Sequence, residues 1–316
     1  MRLYLTTLKP TDSVTDGFLP AAAALGWDVT ILTDRPGEYA DAPAEVIEAD
    51  VRDATAVIEA IAAHHAPDVI FTNSDHIQAA TALAAAYFGL PAKDWRACLT
   101  AKNKALMRRC LAPLDPVAHA ELGPDDPPEF PVFPAVVKPR EGVASEDVLL
   151  VHDGAELAEA VAEIRERRPG AALVVEEFLD GPLLTFDTLG DGTTRRHTGT
   201  WRTTLGPPPT FTEIRLDWAP AALAAVRADL DAQLDALGVG LGACHTEVVL
   251  QGDRVRIIEV NYRLIGDLMD LVTSDVLGAD LFAAVLRVHS GEPLPADVGE
   301  AAGAPRHGRV DYVLAE

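Results

Sequence analysis

Two short runs near the C-terminus hold the residues best suited to chemistry. Residues 243–263 read ACHTEVVLQGDRVRIIEVNYR, so His245 stands two residues before Glu247, and Glu259 two before Asn261. Side chains on a strand alternate between faces, and each pair therefore shares one face. A loop of odd length, Gly252 to Arg254, sets Glu247 opposite Glu259 and His245 opposite Asn261, whereas a two-residue loop parts them. With Val249, Val255 and Ile257 then on one face, the pattern favours the odd loop. Two carboxylates and an amide oxygen converging in this way make a hard oxygen site suited to Mg²⁺, which keeps waters and takes further ligands from phosphate oxygens. A solvated edge strand would carry similar letters, so the reading depends on what accompanies it.

Two lysines accompany it. Lys138 ends the apolar run Pro134 to Val137, where a point charge leaving a dry sheet needs an anion, and Lys104 lies on a basic helix upstream. Taken singly, each reads better as a surface lysine reaching for solvent. After Lys138 comes a loop with Gly142 and Ser145, whose backbone N–H groups and hydroxyl can approach phosphates. Arg202, Arg215, His197 and His245 are candidates for gripping a carboxylate or relaying the proton of an incoming amine, and Asp267 for meeting an ammonium group.

The elements that must position these groups fall into three stretches. Residues 2–8 and 27–33 are β-rich runs around a helix ending at Gly26, followed by a helix at about 53–65, a strand at 68–72 and a helix at 76–88. Such alternation makes a parallel sheet with helices on both faces. A basic helix at 100–111 leads into a Pro-rich passage, 113–134, read as an exposed connector after a lobe boundary near residue 98. Strands at 135–138, 147–151 and 172–177 with a helix at 155–167 form a compact α+β unit. A third stretch holds a strand at 186–189, a loop with Pro207, Pro208 and Pro209, a helix at 219–237, the strand pair at 243–261 and a helix at about 278–290. No internal repeat is visible.

Composition sets bounds. A chain of 316 residues exceeds what one core usually serves, which predicts two or three lobes around a cleft. With 26 basic against 49 acidic residues the formal charge is −23, which repels polyanions and argues against nucleic-acid partners. No apolar run is long enough to span a membrane and the N-terminus lacks a secretory pattern, so a cytoplasmic protein is expected. Cys98, Cys110 and Cys244 are too scattered for a disulfide framework or a zinc site.

The order of these features resembles the ATP-grasp superfamily, in particular its carboxylate-amine and amino-acid ligase branch, over nearly the whole chain. The resemblance implies an α/β and α+β protein: an N-terminal Rossmann-like parallel-sheet lobe (1–97), then an ATP-grasp domain (98–316) with a small lid at about 113–180 and a C-terminal antiparallel sheet. It implies ATP and Mg²⁺ as cofactors. Lys104 and Lys138 resemble the nucleotide-phosphate lysines, and Ser145 the hydroxyl of the phosphate-covering loop. Glu176, Glu177, Phe178 and Leu179 resemble the adenine hinge. Glu247, Glu259 and Asn261 resemble the magnesium ligands, and Arg263 the arginine that steadies the transferred phosphate. Four features depart from the pattern: Glu146 and Asp147 follow the loop serine where relatives usually have a glycine, Leu183 replaces an acidic residue after the hinge, Tyr262 replaces a frequent proline, and the connector 199–215 does not match the substrate-side loop that the resemblance implies.

The activity so implied is ligation of a carboxylate to an amine through an acyl phosphate, with Lys138, His245 and Arg263 catalytic and Arg202, Arg215 and Asp267 on the substrate side. The partners are small-molecule acids and amines, and a homodimer is compatible with this reading. Lys9 to Ser13 and Tyr262 to Asp267 look similar to stand-alone ligases of specialised metabolism, with siderophore- or antibiotic-like products. The rivals are a cyclo-ligase or carboxylase of the same superfamily and a nucleotide-binding protein without turnover, the latter suggested by the departures at Asp147 and Leu183.

Overall fold

Strand β1 (Arg2–Thr6) shows how the N-terminal sheet is built. Its Leu3 and Leu5 are buried among Phe18, Phe71 and Phe282, while Tyr4 faces away, toward Val57, Ile61 and Ile77. A strand apolar on both faces must lie inside a sheet with helices on either side. The computed structural model describes residues 1–142, 145–299 and 306–313, so the middle of the loop between Gly142 and Ser145 lies outside the described residues. After β1 follow α1 (Leu19–Ala24), β2 (Asp28–Thr33), β3 (Glu45–Glu48), α2 (Ala54–Ala62), β4 (Val69–Phe71) and α3 (Gln78–Tyr87). The strands form a parallel sheet in the order β3-β2-β1-β4, with β3 arising from a polar run whose letters gave no strand signal.

The expected basic helix at 100–111 is two helices, α4 (Trp95–Lys102) and α5 (Lys104–Leu111). Asn103 separates them: its backbone is extended, and its side chain accepts from the N–H groups of Ala105 and Leu106 as the cap of α5. Lys104 is therefore the first residue of a new helix, and Arg108, four residues on, lies on the same face.

The passage 113–134 is also more than a connector. It contains β5 (His119–Leu122), which joins β6 (Ala135–Pro139), β7 (Leu149–Val151) and β8 (Leu173–Glu177) in an antiparallel sheet ordered β5-β8-β6-β7. One face of this sheet packs Ala135, Val137, Leu173 and Val175 against Leu157, Val161 and Ile164 of α6 (Gly154–Arg167). The other face presents Val136, Lys138 and Glu176 to a cleft.

Across that cleft lies a larger sheet. Its strands are β9 (Leu183–Asp191), β10 (Arg195–Gly199), β11 (Trp201–Leu205), β12 (Glu213–Trp218), β13 (Leu241–Gln251), β14 (Arg254–Asn261) and β15 (Arg309–Asp311), with α7 (Arg227–Ala236), α8 (Met269–Leu277) and α9 (Leu281–His289) packed around it. The strands run in the order β14-β13-β9-β11-β12-β15, and β10 pairs with β9. Part of the stretch 199–215, which had matched no expectation, supplies β11 and the start of β12. Helix α7 is shorter than the expected 219–237, and α8 has no counterpart among the expected elements. The N-terminal sheet shares one core with α9 and with Leu189 and Leu241, so its last covering helix comes from the far end of the chain. No helix of the described residues is long and apolar enough to cross a membrane.

Candidate active site

The pairing of β13 with β14 matches the expected contacts and corrects their cause. Gln251 pairs with Arg254, so the turn has two residues, and Val248 pairs with Ile257. Glu247 nevertheless stands opposite Glu259 and His245 opposite Asn261, because the register shifts between Glu247 and Val248 and leaves Ile258 as a bulge. One extra residue on β14 restores the parity that the even turn would have broken. Val249 also departs from the expectation: it packs with Leu179 and Ile258 on the cleft side, whereas Val255 and Ile257 pack with Val248 on the far side.

β9 extends the row of polar groups. Thr185 pairs with Glu247 and Asp187 with His245. His245 Nδ1 donates to Asp187 Oδ1 at 2.6 Å, Thr185 Oγ1 donates to Asp187 Oδ2 at 2.8 Å, and His245 Nε2 lies 3.8 Å from Glu247 Oε1. Burial opposes a charge on His245, but Asp187 and then Glu247 outweigh it and hold the imidazole up at about 9. Glu247 is half-buried, yet the bond and charge from His245, with Lys104 and Lys138 beyond, keep its carboxyl below the usual range. Both groups are therefore charged at neutral pH.

The facing wall is cationic and tightly paired. Lys104 and Arg108 of α5 are 3% and 2% exposed. Lys104 Nζ donates to Glu259 Oε1 at 2.9 Å. Arg108 Nε and Nη2 fork onto the two oxygens of Glu176 at 2.8 and 3.0 Å, and Lys138 Nζ lies 2.7 Å from Glu176 Oε2. Burial alone would favour protonated Glu176, but Arg108 and Lys138 overcome it and drive its carboxyl far down. Burial also pushes Lys138 down, against the pull of Glu176. A buried triad of this kind fixes geometry: removing one member strands a charge in a dry site, at a cost of about 3–5 kcal/mol.

Between the two walls runs a cleft in two parts. The narrower cavity, about 140 Å³, lies between Val136 and Lys138 of β6, the hinge residues Glu177 to Leu179, and Val249 and Ile258. The wider one, about 500 Å³, is lined by His245, Asn261, Arg263 and Asp267. Ser145, Phe211, Glu213, Glu247 and Glu259 border both, so the two are continuous. The hinge returns to the large sheet at Gly181, φ +153°, where a Cβ would stand 2.6 Å from the carbonyl oxygen of Leu250, so only glycine lets the two chains approach this closely.

No protein-family model matches the chain. Among curated proteins it is similar to the uncharacterized protein y4rH of Sinorhizobium fredii, 29% identical over 213 residues, which is 65% of this chain and 39% of that one. The chain thus spans about two fifths of that relative's length. Among solved structures, the L-amino acid ligase from Bacillus licheniformis superposes with a TM-score of 0.78 at 22% identity, covering 93% of this chain and 74% of that one. The biotin carboxylase domain of the Hydrogenobacter thermophilus 2-oxoglutarate carboxylase, in complex with MgADP and bicarbonate, gives 0.69 at 14% identity, covering 95% and 72%. The fold is the ATP-grasp fold.

Within the ATP-grasp frame, the departures noted in the sequence find physical explanations. Glu146 and Asp147 do not repel from an uncompensated position: Arg168 bonds both, with Glu146 at 2.7 Å, and Arg167 lies 2.7 Å from Asp147. Leu183 lines the narrow cavity as part of its apolar floor. The ring of Tyr262 reaches the far side of the sheet, where its hydroxyl accepts from Gly240 N at 2.8 Å, while its carbonyl accepts from the buried Lys93 at 2.5 Å.

The expected substrate residues divide. Asp267 and His245 line the wide cavity. Arg202 and Arg215 do not: Arg202 pairs with Asp217 and Arg215 with Thr204, on the sheet face opposite Thr203 and Leu216, and Arg215 is engaged with Asp311 at 2.7 Å. His197 lies outside the cleft as well, stacked on Phe186 with Nε2 2.8 Å from Thr200 Oγ1, and burial followed by Arg227 pushes it down to about 4. It is a neutral, half-buried histidine away from the cleft. Arg263 lines the wide cavity with Nη1 donating to the carbonyls of Leu264 and Ile265 at 2.6 Å each and Nε 3.7 Å from Asp75.

Four residues near these groups were missed in the sequence. Arg108 was visible in principle, one turn after Lys104. Asp187, Asp75 and Glu213 were not, because nothing local ties them to the cleft. Among the described residues no three His, Cys, Asp or Glu side chains close on one point as a complete metal cage. Glu247, Glu259 and Asn261 instead form an open edge of oxygens facing the cleft, a donor set that fits a hard cation completing its shell with phosphate and water.

Proposed function

We propose that the chain is an ATP-dependent, ADP-forming ligase that activates a carboxylate as an acyl phosphate and joins it to an amine, with an amino acid as one substrate. The observation that carries this reading is the continuity of the two cavities across Glu247 and Glu259, which border the hinge-side pocket and the wide polar pocket alike. A nucleotide in the first would present its terminal phosphate to a substrate in the second.

The hinge, Glu177 to Leu179, and the apolar walls of the narrow cavity suit a flat base, and Lys104, Lys138 and the hydroxyl of Ser145 suit the phosphates. Glu176 takes a supporting part, since its side chain holds Lys138 and Arg108. Mg²⁺, held by Glu247, Glu259 and Asn261, would neutralise charge on the phosphates and align the terminal one. The substrate carboxylate attacks the γ-phosphorus, ADP leaves, and Lys104, Lys138 and Arg263 balance the charge that spreads over the transferred group. The amine then attacks the acyl carbon and phosphate departs. Both steps need water excluded, a task for the small sheet and its loop at about 113–180.

The likeness to an L-amino acid ligase supports this reading at the level of fold, and the charges of the wide cavity support it chemically. The motifs at 9–13 and 262–267 support a product of specialised metabolism. A binding protein without turnover loses its main motive once Glu146 and Asp147 are paired with arginines. The test is an incubation with ATP, Mg²⁺ and an equimolar mixture of the twenty protein amino acids, read by ADP release and by mass spectrometry for new amides. Hydroxylamine added in a parallel reaction traps any acyl phosphate as a hydroxamate. ADP release that depends on amino acid, with amide or hydroxamate formed, is the expected result; ATP binding with neither product would overturn the reading.

A further inference from the structure

Glu213 opens β12 and faces the cleft because of a local irregularity. β11 and β12 shift register between Thr204 and Leu205, so that Leu205 pairs with Glu213 and Ile214 is left over. Without that extra residue the carboxylate would continue the outward series of Arg215 and Asp217. The bulge turns it inward, to the border of the two cavities beside Glu247. Among the described residues no side chain or backbone group bonds or ion-pairs with it, although every other acidic side chain on that border has a basic partner: Lys104 for Glu259 and His245 for Glu247.

A half-buried carboxylate that lines a cleft and has no partner among the described residues is free to receive a cation from a ligand. The wide cavity carries both signs of charge: Arg263 and His245 line it together with Glu213 and Asp267, and Leu216, Ile265 and Tyr312 add apolar surface. The position of Glu213 at the junction is where the acyl carbon must lie if the nucleotide fills the narrow cavity, and so where the nucleophile must stand.

Resting on the ligase reading above, we propose that Glu213 is the specificity-determining receptor for the ammonium group of the amine substrate, holding it beside the activated carbonyl and accepting the proton it gives up so that the neutral amine can attack, while the second N–H proton leaves with the departing phosphate. The amine is thereby a cationic amino compound whose side chain rests on Leu216, Ile265 and Tyr312, and neutral nucleophiles enter without help from Glu213. Nothing in this assignment requires Glu213 to bind the acid, the nucleotide or the metal.

The experiment compares two products made by the same enzyme. Wild type, Glu213→Gln and Glu213→Asp are each given ATP, Mg²⁺ and the twenty-amino-acid mixture, and amide formation is measured against hydroxamate formation with added hydroxylamine, which is uncharged at neutral pH. In Glu213→Gln the ratio of amide to hydroxamate should fall by about tenfold or more, the loss of one charge-assisted contact, while Glu213→Asp stays nearer wild type. A ratio that does not change, whether both products fall together or neither does, overturns the assignment. Amide lost equally in the Asp and Gln variants also overturns it, because the charge would then not be what matters. Wild type forming neither product sinks the ligase reading itself, and this assignment with it.

Discussion

Lys104 Nζ lies 2.9 Å from Glu259 Oε1, an ion pair joining the first residue of α5 to the end of β14. Each partner is assigned a different ligand: Lys104 the phosphates, Glu259 the cation between them. A metal–nucleotide complex arriving in the cleft offers both a new partner at once, so the pair can exchange one internal contact for two external ones without leaving either charge unmatched.

The exchange predicts different defects on its two sides. Lys104→Met removes a cation from the phosphate wall but leaves Glu259 free for metal, so KM for ATP should rise by about tenfold, with the Mg²⁺ requirement little changed. Glu259→Gln leaves the lysine in place and halves the anionic charge available to metal. Amino-acid-dependent ADP release should then fall by at least about a hundredfold and its Mg²⁺ dependence move to higher concentration. Initial rates over a grid of ATP and Mg²⁺ concentrations measure both, and an unaltered KM for ATP in Lys104→Met would contradict the assignment.

A second prediction concerns charge balance beside the phosphate loop. Glu146 lines the narrow cavity, and both it and Asp147 are held by Arg168. Arg168→Ala should leave two carboxylates less well compensated near the nucleotide and raise KM for ATP several-fold, more at low salt than at high salt. Adding Glu146→Gln and Asp147→Asn to that variant should restore it, since the repulsion and its remedy are removed together. A triple variant no better than Arg168→Ala would mean that the arginine acts through the shape of the loop rather than through its charge.

How far the letters could be read differs from residue to residue. Lys138 was placed by its own strand: it ends the apolar run Pro134 to Val137, and the two-residue period of a strand decides its face. Glu247 and Glu259 were paired as expected, but through a wrong loop length, because an odd turn and an even turn with a bulge leave the same hydrophobic pattern in β13 and β14. Arg202 and Arg215 were drawn toward the site by their charge alone. Their strands pair with β9 and with each other across long loops, and a single bulge at Ile214 sends Glu213 inward and Arg215 outward. Asp187 depends on the register of β9 with β13, whose paired residues lie fifty or more positions apart in the chain. β5 was hidden among prolines because its contribution is an edge strand of four residues. Parity within an element was legible, then, while register between distant elements was not.

The last prediction turns on a histidine that the chemistry does not use. His289 ends α9 with its ring 4.9 Å from that of Phe71, and neither nitrogen has a hydrogen-bond partner among the described residues. Burial, with Lys93 adding to it, pushes the imidazole down to about 3. The folded chain therefore binds this proton less readily than the unfolded chain does, whose histidine titrates near 6.5. The stability it permits is fully present above about pH 6.5 and is lost as the pH falls toward 3, at about 1.4 kcal/mol per unit, or roughly 2 kcal/mol by pH 5. His289→Leu keeps the apolar contact with Phe71 and removes the proton site. Urea unfolding at pH 7 and pH 5 should show the variant losing about 2 kcal/mol less than wild type across that interval. Every other titrating group, His197 included, contributes equally to both proteins and cancels in the difference. Equal losses in the two would mean that solvent reaches the ring and that the core formed by α9, β4 and β13 is looser than its packing indicates.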